Sequence, residues 1–214
     1  MKRRIVLLGP PASGKGSQAQ LIFQKYQIPA ISTGHLLRDE ASANTDFGRQ
    51  AAAFTSKGQL APDDLVIAVL QKWLAGGRES YVFDGFPRTT EQAIQLRPLL
   101  MTAGIPLEIV LFLECDLPTI QSRVAGRVTC AGCKTIYNVG LHVKSSEGGC
   151  PACGGELRRR ADDLPNVLEQ RMVQYAEKTA PLVSFYENEG ILSRINANLM
   201  ADEVFLEIEK ELLR

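Results

Sequence analysis

The sequence predicts an α/β fold in which a parallel sheet carries helices on both faces. Three observations carry that expectation. Apolar runs of strand length, Ile5 to Leu8, Tyr81 to Phe83 and Ile109 to Leu113, alternate with segments of helical periodicity at crossover lengths. The first run leads straight into Gly9, four residues, Gly14 and Lys15, and a helical pattern begins near Gly14. From Cys130 to about Gly155 the apolar pattern lapses, and Cys, Gly, Thr and Lys take over, which marks an insertion.

Taken in order, Ile5 to Leu8 read as a buried strand. Ala19, Ile22, Phe23 and Tyr26 give the helix after it an apolar stripe. Gln27 to Ile31 form a short extended segment. Ser32-Thr33-Gly34 open a new helix with Leu36 and Leu37 inward, and Thr45 to Lys57 form a second, with Phe47 and Phe54 apolar and Gly58 as its stop. Both are short, Ala-rich and polar, and read as an excursion from the core. Pro62 suits the first turn of the next helix, and Asp63 and Asp64 suit its dipole. Leu65, Val66, Val69, Leu70 and Trp73 form its buried stripe, so Trp73 reads as core rather than as a cofactor platform; Gly76-Gly77 end it. Tyr81 to Asp84 are a second strand with Asp84 at its C-terminal end, and Gly85-Phe86-Pro87-Arg88 turn the chain. A helix from Thr89 or Thr90 to Met101 closes at Gly104. The third strand, Ile109 to Leu113, is followed by Cys115, which reads as a small buried thiol. Asp116 caps a helix whose last turn carries Arg123, Gly126 and Arg127. Beyond the insertion, Leu164 to Tyr186 is amphipathic and broken or kinked at Pro181, with Val167, Leu168, Met172 and Tyr175 on one face. Ile191 to Asn196 form a last strand, and Val204, Phe205, Ile208 and Leu212 mark a closing helix.

The chain has 214 residues, enough for one good core with excursions. Lys plus Arg equals Asp plus Glu at 24 each, so there is no global field for nucleic acid or an anionic membrane. No stretch is long and apolar enough to span a bilayer. Met1-Lys2-Arg3-Arg4 and four apolar residues superficially resemble a secretion signal, but the run is too short and no small-residue cleavage site follows. The cytoplasm is the expected location. Four of the five cysteines form Cys130-x-x-Cys133 and Cys150-x-x-Cys153, sixteen residues apart. In a reducing compartment that spacing argues for a closed four-thiolate site, structural and best suited to Zn²⁺, with two disulfides or free thiols as the alternative. Gly132 and Gly154 supply the backbone freedom of the two turns, and His142 reads as a solvated loop residue.

The glycine loop has a mechanical logic. Its backbone N–H groups turn inward, the helix N-terminus adds unpaired donors, and Lys15 supplies a mobile charge for outer phosphates. Gly16 stands between Lys15 and Ser17, so Ser17 need not bind magnesium. In a parallel sheet, ligands sit at the carboxyl ends of the strands, where this loop, Asp84 to Arg88 and the Asp116 turn all fall. Lys15, Arg38, Arg88, Arg123, Arg127, Arg160 and Arg171 sit near element ends or the insertion boundary. Spacing alone makes each a surface cation, except Arg88, which Gly-Phe-Pro-Arg fixes just past an acidic strand end. Asp84 is either a turn acceptor or a holder of Mg²⁺ waters. Asp162-Asp163 either cap the next helix or orient the insertion, and Thr89-x-x-Gln92 reads as a capping box.

Together, Gly9-Pro-Pro-Ala-Ser-Gly-Lys-Gly-Ser-Gln18, Ser32-Thr-Gly-His-Leu-Leu-Arg38, Asp84-Gly-Phe-Pro-Arg-Thr89, Gly126-Arg127 and Arg160-Ala-Asp-Asp163 come in the order of adenylate kinases. The chain resembles that family from end to end, in its long form with a zinc-binding lid. The resemblance implies a P-loop nucleoside-monophosphate kinase fold: a five-stranded parallel core over residues 1–31, 62–126 and 164–214, an AMP-binding excursion over 32–61, and a lid over 127–163. It implies that Pro11, Ala12, Ser13, Gly14, Lys15, Gly16 and Ser17 hold the ATP phosphates. Arg123 lies on the ATP adenine, Ile136 and Tyr137 form the lid edge over ATP, and backbone near Leu199 contacts the base. For AMP it implies Thr33 and Gln92 near the base, Arg38 and Arg88 at the phosphate, Gln59, Leu60 and Ala61 lining the base with backbone, and Gly85, Phe86 and Pro87 alongside. Arg127, Arg160 and Arg171 then neutralise the phosphate chain, and Lys15, Arg88, Arg127, Arg160 and Arg171 form the catalytic set.

The implied reaction is Mg·ATP + AMP ⇌ 2 ADP, by in-line transfer with lid closure. Its nucleophile is already an anion, so no general base is required, in keeping with a chain of only two histidines. The implied partners are ATP, AMP, ADP, Mg²⁺ and a structural Zn²⁺ on Cys130, Cys133, Cys150 and Cys153, with Asp84 reaching Mg²⁺ through water, in a monomer without nucleic-acid or membrane partners. His35 stands where the family usually has Asp, and Asn196-Ala197 replaces its usual Asp-Gly turn. Preference for CMP, UMP or GMP, a zinc-ribbon nucleic-acid binder and a nucleotide sensor are the rival readings.

Overall fold

The computed structural model describes residues 1–33, 36, 37, 40, 45–55, 61–74, 76–133, 135–159 and 163–214. The expectations at Gly34, His35, Arg38, Gly58, Gln59, Leu60, Arg160 and Asp162, and for the side chains of Phe47 and Val69, lie outside the described residues.

The core strand β1 (Arg4–Leu8) is apolar at successive positions because both its faces are covered. Val6 and Leu8 belong to one apolar cluster, Ile5 and Leu7 to another, and all four are at most 2% exposed. Around it, β2 (Ala30–Ser32), β3 (Tyr81–Asp84), β4 (Ile109–Glu114) and β8 (Leu192–Asn196) make a five-stranded sheet of order β2-β3-β1-β4-β8, parallel throughout. Ile5 stands opposite Val82 on one side and Ile109 on the other. The expected parallel sheet is therefore present.

Helices α1 (Lys15–Tyr26) and α8 (Ala201–Leu213) cover the Ile5–Leu7 face. Helices α3 (Asp63–Leu74), α4 (Thr90–Thr102) and α7 (Pro181–Asn188) cover the other. Thr33, Leu36, Leu37 and Glu40 are helical, Leu37 is buried, and α2 (Asp46–Thr55) follows, with the Thr45 hydroxyl accepting the Gly48 N–H at 3.0 Å. Helix α5 (Leu117–Gly126) starts at Asp116, whose carboxylate accepts the Thr119 N–H as expected. The insertion forms a second sheet of order β6-β5-β7, from β5 (Arg127–Cys130), β6 (Ile136–Asn138) and β7 (Leu157–Arg158). Helix α6 (Pro165–Gln174) returns the chain to the core. Among the described residues, no helix is long and apolar enough to cross a membrane.

Several local expectations are corrected. Phe23 is 46% exposed, because the buried face of α1 runs through Gln18, Ala19 and Ile22, and Phe23 lies a hundred-degree step round from Ile22. Phe54 is exposed on α2. Pro62 precedes α3 rather than joining it, its carbonyl accepting the Leu65 and Val66 N–H groups. Cys115 is half-buried. Arg127 begins a strand instead of ending a helix. The helical run does break at Pro181 as expected: Pro181 takes the first turn of a new helix, α7, where its missing N–H costs nothing. The change in winding lies just before it, in a π-helical turn over Tyr175–Thr179 closed by the Ala180 N–H on the Tyr175 carbonyl. Trp73 packs edge-on to Phe83 at 5.9 Å, as a core residue.

Where β1 begins, the Arg4 guanidinium pairs with Glu108 at 2.5 Å, and the Arg3 and Arg4 N–H groups donate to the same carboxylate. Burial pushes the Glu108 carboxyl up, but these hydrogen bonds and the Arg4 charge outweigh it and hold it at about 2. A depressed folded-state pKa stabilises the fold above the ordinary value of 4.5, and that contribution is lost as pH falls toward 2. Glu108→Gln should therefore lower the melting temperature at neutral pH, and its gap from the unmutated protein should close on acidification through that window. A gap independent of pH would refute the assignment.

Candidate active site

The loop between β1 and α1 is shaped by backbone that only certain residues tolerate. Gly9 has φ of 151°, and a Cβ there would lie 2.8 Å from both the Leu113 carbonyl oxygen and Ser13 Oγ. Gly14, with φ of 99°, is the N-cap of α1. Ala12 takes the left-handed region at φ of 63°. Ser13 is buried, and its N–H donates to the Pro10 carbonyl. The Lys15 ammonium folds back on the loop, donating to the Gly9 and Pro10 carbonyls, both at 2.8 Å.

This loop forms the floor of a cleft of about 1070 Å³ at the carboxyl edge of the sheet. Pro11 to Ser17, Asp84, Gly85, Pro87, Arg88, Arg123, Arg127, Ile136, Tyr137, Arg171 and Leu199 all line it, so most of the expected site residues share one chamber. Thr33, Ala61, Phe86 and Gln92 do not line it. Thr33 nevertheless reaches its edge, donating from its hydroxyl to the Gly85 carbonyl at 3.2 Å. Arg123 donates to the Ser13 carbonyl at 3.2 Å and to the Leu199 carbonyl at 3.1 Å, joining the loop to the segment before α8. Gln18 adds a second tie, from its Nε2 to the Ala201 carbonyl at 2.9 Å.

The cations are held by specific partners. Arg88 Nε donates to the Gly85 carbonyl at 2.7 Å, and the Arg88 carbonyl accepts from Thr179 Oγ1 at 2.8 Å. Arg127 grips Asp163 with two nitrogens, Nε at 2.7 Å and Nη2, and Arg171 Nη1 reaches the same carboxylate at 3.4 Å. The Asp163 side chain is only 6% exposed. Of the two readings of the Asp162-Asp163 pair, Asp163 thus fits the one in which it orients the insertion, and Leu164 is the N-cap of α6. Burial lowers the Lys15 ammonium to about 8; Asp84 opposes the shift, while Arg88, Arg171 and Arg127 add to it.

The capping box is half present. Gln92 N–H donates to Thr89 Oγ1 at 3.1 Å, but Gln92 Oε1 accepts from the Arg88 N–H rather than from Thr89, and Gln92 Nε2 turns to Asp63 at 2.5 Å. Asp63 and Thr179 were not foreseen as partners of the site. Each meets a residue far away in sequence, and no spacing rule announces it. His142 is exposed as expected, yet it lines the cleft, its Nδ1 accepting the Asn138 N–H at 3.0 Å.

In the insertion, the sulfurs of Cys130, Cys133, Cys150 and Cys153 all lie within 4.8 Å of one another. The Cys130 and Cys153 sulfurs lie 3.4 Å apart and those of Cys133 and Cys150 3.6 Å, and none of the cysteines is in a disulfide. A tetrahedral ion with bonds of about 2.3 Å needs sulfurs about 3.8 Å apart, so the cluster fits one. Gly154 has the expected positive φ of 72°, whereas Gly132 does not adopt one. The unforeseen close approach is Gly155, where a Cβ would lie 3.0 Å from Cys130 Sγ.

A glycine loop opening a helix, with cations converging above it at a parallel sheet edge, defines a P-loop protein that handles phosphoryl groups. The family model for adenylate kinase matches residues 7–191. The adenylate kinase of Methanococcoides burtonii is 40% identical over 210 residues, 97% of each chain. That of Acidothermus cellulolyticus is 40% identical over 203 residues, 94% of each, and that of Syntrophomonas wolfei 35% identical over 210, covering 97% of this chain and 98% of the relative. The chain belongs to the adenylate kinase family, a nucleoside monophosphate kinase whose reaction is reversible phosphoryl transfer between ATP and AMP to give two ADP.

A lysine that meets phosphate must be charged, and the Lys15 pKa is lowered to about 8. The kcat/KM for ATP, which reports the free enzyme, should therefore fall as pH rises through about 8. Because Asp84 raises the Lys15 value, Asp84→Asn should move that fall to lower pH. A profile whose alkaline limb stays in place in the variant would show that another group sets it.

Proposed function

We propose that transfer is in-line and that the side chains in the cleft supply positioning and charge rather than proton transfer. The observation that carries this reading is the convergence of Lys15, Arg88, Arg127 and Arg171 on one chamber above the glycine loop. The attacking AMP oxygen is already anionic, so the reaction asks for alignment, charge stabilisation and exclusion of water. Loop N–H groups over Pro11 to Ser17 hold the ATP phosphates, Lys15 meets the transferring group, and Arg123 lies on the adenine, with backbone near Leu199 beside it. Arg88 grips the AMP phosphate. Arg127 and Arg171 neutralise the phosphate chain, with Asp163 keeping both forks beside it. Thr33 and Gln92 read the AMP base, Ala61 lines it, and Gly85, Phe86 and Pro87 pass alongside. Arg38, Gln59, Leu60 and Arg160 keep their implied roles on the family resemblance alone.

Asp84 would hold the waters of the Mg²⁺ that arrives with ATP. Its Oδ2 lies 3.4 Å from where a Cβ on Gly16 would stand, which puts it beside the phosphate loop. Zn²⁺ on the four cysteines would fix the fold of the insertion. Residues 127–163 act as the lid and 32–61 as the AMP-binding excursion, and both close to exclude water. The family resemblance further supports a cytoplasmic monomer without nucleic-acid or membrane partners.

ADP formation from Mg·ATP with AMP, CMP, UMP and GMP in separate reactions tests the reading. Strong activity is expected with AMP alone, and Arg88→Ala should lower it on the order of a hundredfold with its melting temperature kept. Undiminished turnover in that variant would remove Arg88 from the site. Treating the protein with a chelator should lower its melting temperature, because among the described residues the insertion's buried apolar cluster is small, made of Val128, Cys130, Cys150 and Leu157. Identical melting with and without chelator would count against a structural ion.

A further inference from the structure

The Gln92 side chain is 2% exposed, and its amide is held at both ends. A backbone N–H can only donate, so the atom facing the Arg88 N–H at 2.7 Å is the amide oxygen. A carboxylate only accepts, so the atom facing Asp63 Oδ1 at 2.5 Å is the amide nitrogen. The other Asp63 oxygen accepts from Thr89 Oγ1 at 3.3 Å, and that hydroxyl in turn accepts the Gln92 N–H at 3.1 Å. One carboxylate at the start of α3 therefore ties down both the cap of α4 and the amide on its third residue.

We propose that Asp63 is a positioning residue for base selection: it fixes the Gln92 amide in the orientation that accepts adenine and rejects 6-oxopurines. This rests on the assignment of Gln92 to the AMP base. An amide has two N–H bonds and two oxygen lone pairs. Asp63 and Arg88 take one of each, leaving one donor and one acceptor. Adenine offers the complementary pair, a 6-amino donor beside the N1 acceptor. Hypoxanthine reverses both, with a 6-oxo acceptor beside an N1–H donor. Gln92 would meet it only by flipping its amide, and a flip sets its oxygen against a carboxylate and its NH₂ against an N–H. The charged mismatch is the more costly of the two.

The test compares kcat/KM for AMP and for IMP, with ATP as donor, in the unmutated protein, in Asp63→Asn and in Gln92→Ala. Asparagine keeps the shape but turns either way, so its amide can follow a flipped Gln92. The AMP-to-IMP ratio should fall about tenfold in Asp63→Asn, the size expected for one hydrogen bond to a charged group, through a higher KM for AMP while the KM for ATP stays in place. Asp63→Ser gives the same readout should asparagine unfold the start of α3. A carboxylate that only braces the two helices would lower the melting temperature and leave the ratio untouched, and that result overturns the proposal. If Gln92→Ala collapses the ratio and the Asp63 variants do not, the Asp63 role falls and the Gln92 assignment stands. If Gln92→Ala leaves the ratio unchanged, the Gln92 assignment fails and the proposal with it.

Discussion

Lys15, Arg88, Arg127 and Arg171 face one cleft and repel each other, and the rest of the site is arranged around that repulsion. Lys15 registers it directly, with its ammonium pulled down by burial and by Arg88, Arg171 and Arg127. Two carboxylates oppose it from different sides. Asp84 stands at the end of β3, beside Gly16. Asp163 is shared by Arg127 and Arg171 and is itself almost fully buried. Removing one partner of such a buried pair typically costs about 3–5 kcal/mol, so the aspartate holds the insertion in place as well as balancing charge. The arrangement suits a polyanionic substrate, whose own charge completes what two carboxylates only begin.

That concentration of charge is possible because the apolar interior of the sheet bears none of it, only its carboxyl edge. β1 is buried on both faces and contributes only its C-terminal end and the loop beyond. β3 does the same with Asp84, and the turn after it carries Arg88. Two apolar clusters, one on each face, make the strands a rigid edge from which polar loops project. The widened turn at Tyr175–Thr179 extends the same logic to the helices, since it places the Thr179 hydroxyl on the Arg88 carbonyl. Arg88 is thus pinned through its main chain, and its guanidinium is turned back on the Gly85 carbonyl.

What the sequence disclosed and what it hid follow from the range over which each feature is encoded. The strands of the parallel sheet, the glycine loop and the cysteine knuckles are local patterns, set by neighbours a few residues apart, and each was legible, whereas the three short strands of the insertion were not. The partners of the site residues were not. Gln92 meets Asp63, Arg88 meets Thr179 and Arg127 meets Asp163 across 29, 91 and 36 residues respectively. A capping-box rule saw Thr89 and Gln92 because they lie three apart, and it assigned the Gln92 oxygen to the wrong N–H because the Asp63 carboxylate, which claims the other end of the amide, lies outside its window. Phe23 was misplaced for a related reason. Helical period fixes which residues share a stripe, but where the stripe's edge falls depends on the width of the sheet beneath it. Family resemblance supplied roles for residues such as Leu199 that no local pattern marks.

The insertion shows how the four-cysteine cluster and the cleft come to depend on one strand. Along β6, successive residues point to opposite sides. Ile136 lies toward the glycine loop, its Cδ1 3.6 Å from where a Cβ on Gly16 would stand. Tyr137 packs on the small cluster of Val128, Cys130, Cys150 and Leu157, with its hydroxyl 3.3 Å from Cys150 Sγ. Asn138, next in line, ties back to α5, donating from its amide to the Arg123 carbonyl at 3.1 Å, and its side chain fills the space a Cβ on Gly126 would need. The cysteines therefore set the position of Tyr137, the strand carries that position to Ile136 above the loop, and Asn138 anchors the same strand to the helix that carries Arg123. With few buried apolar residues beneath it, a strand this short leans on the cysteine cluster for its place, and this links the four sulfurs to the shape of the chamber above the glycine loop.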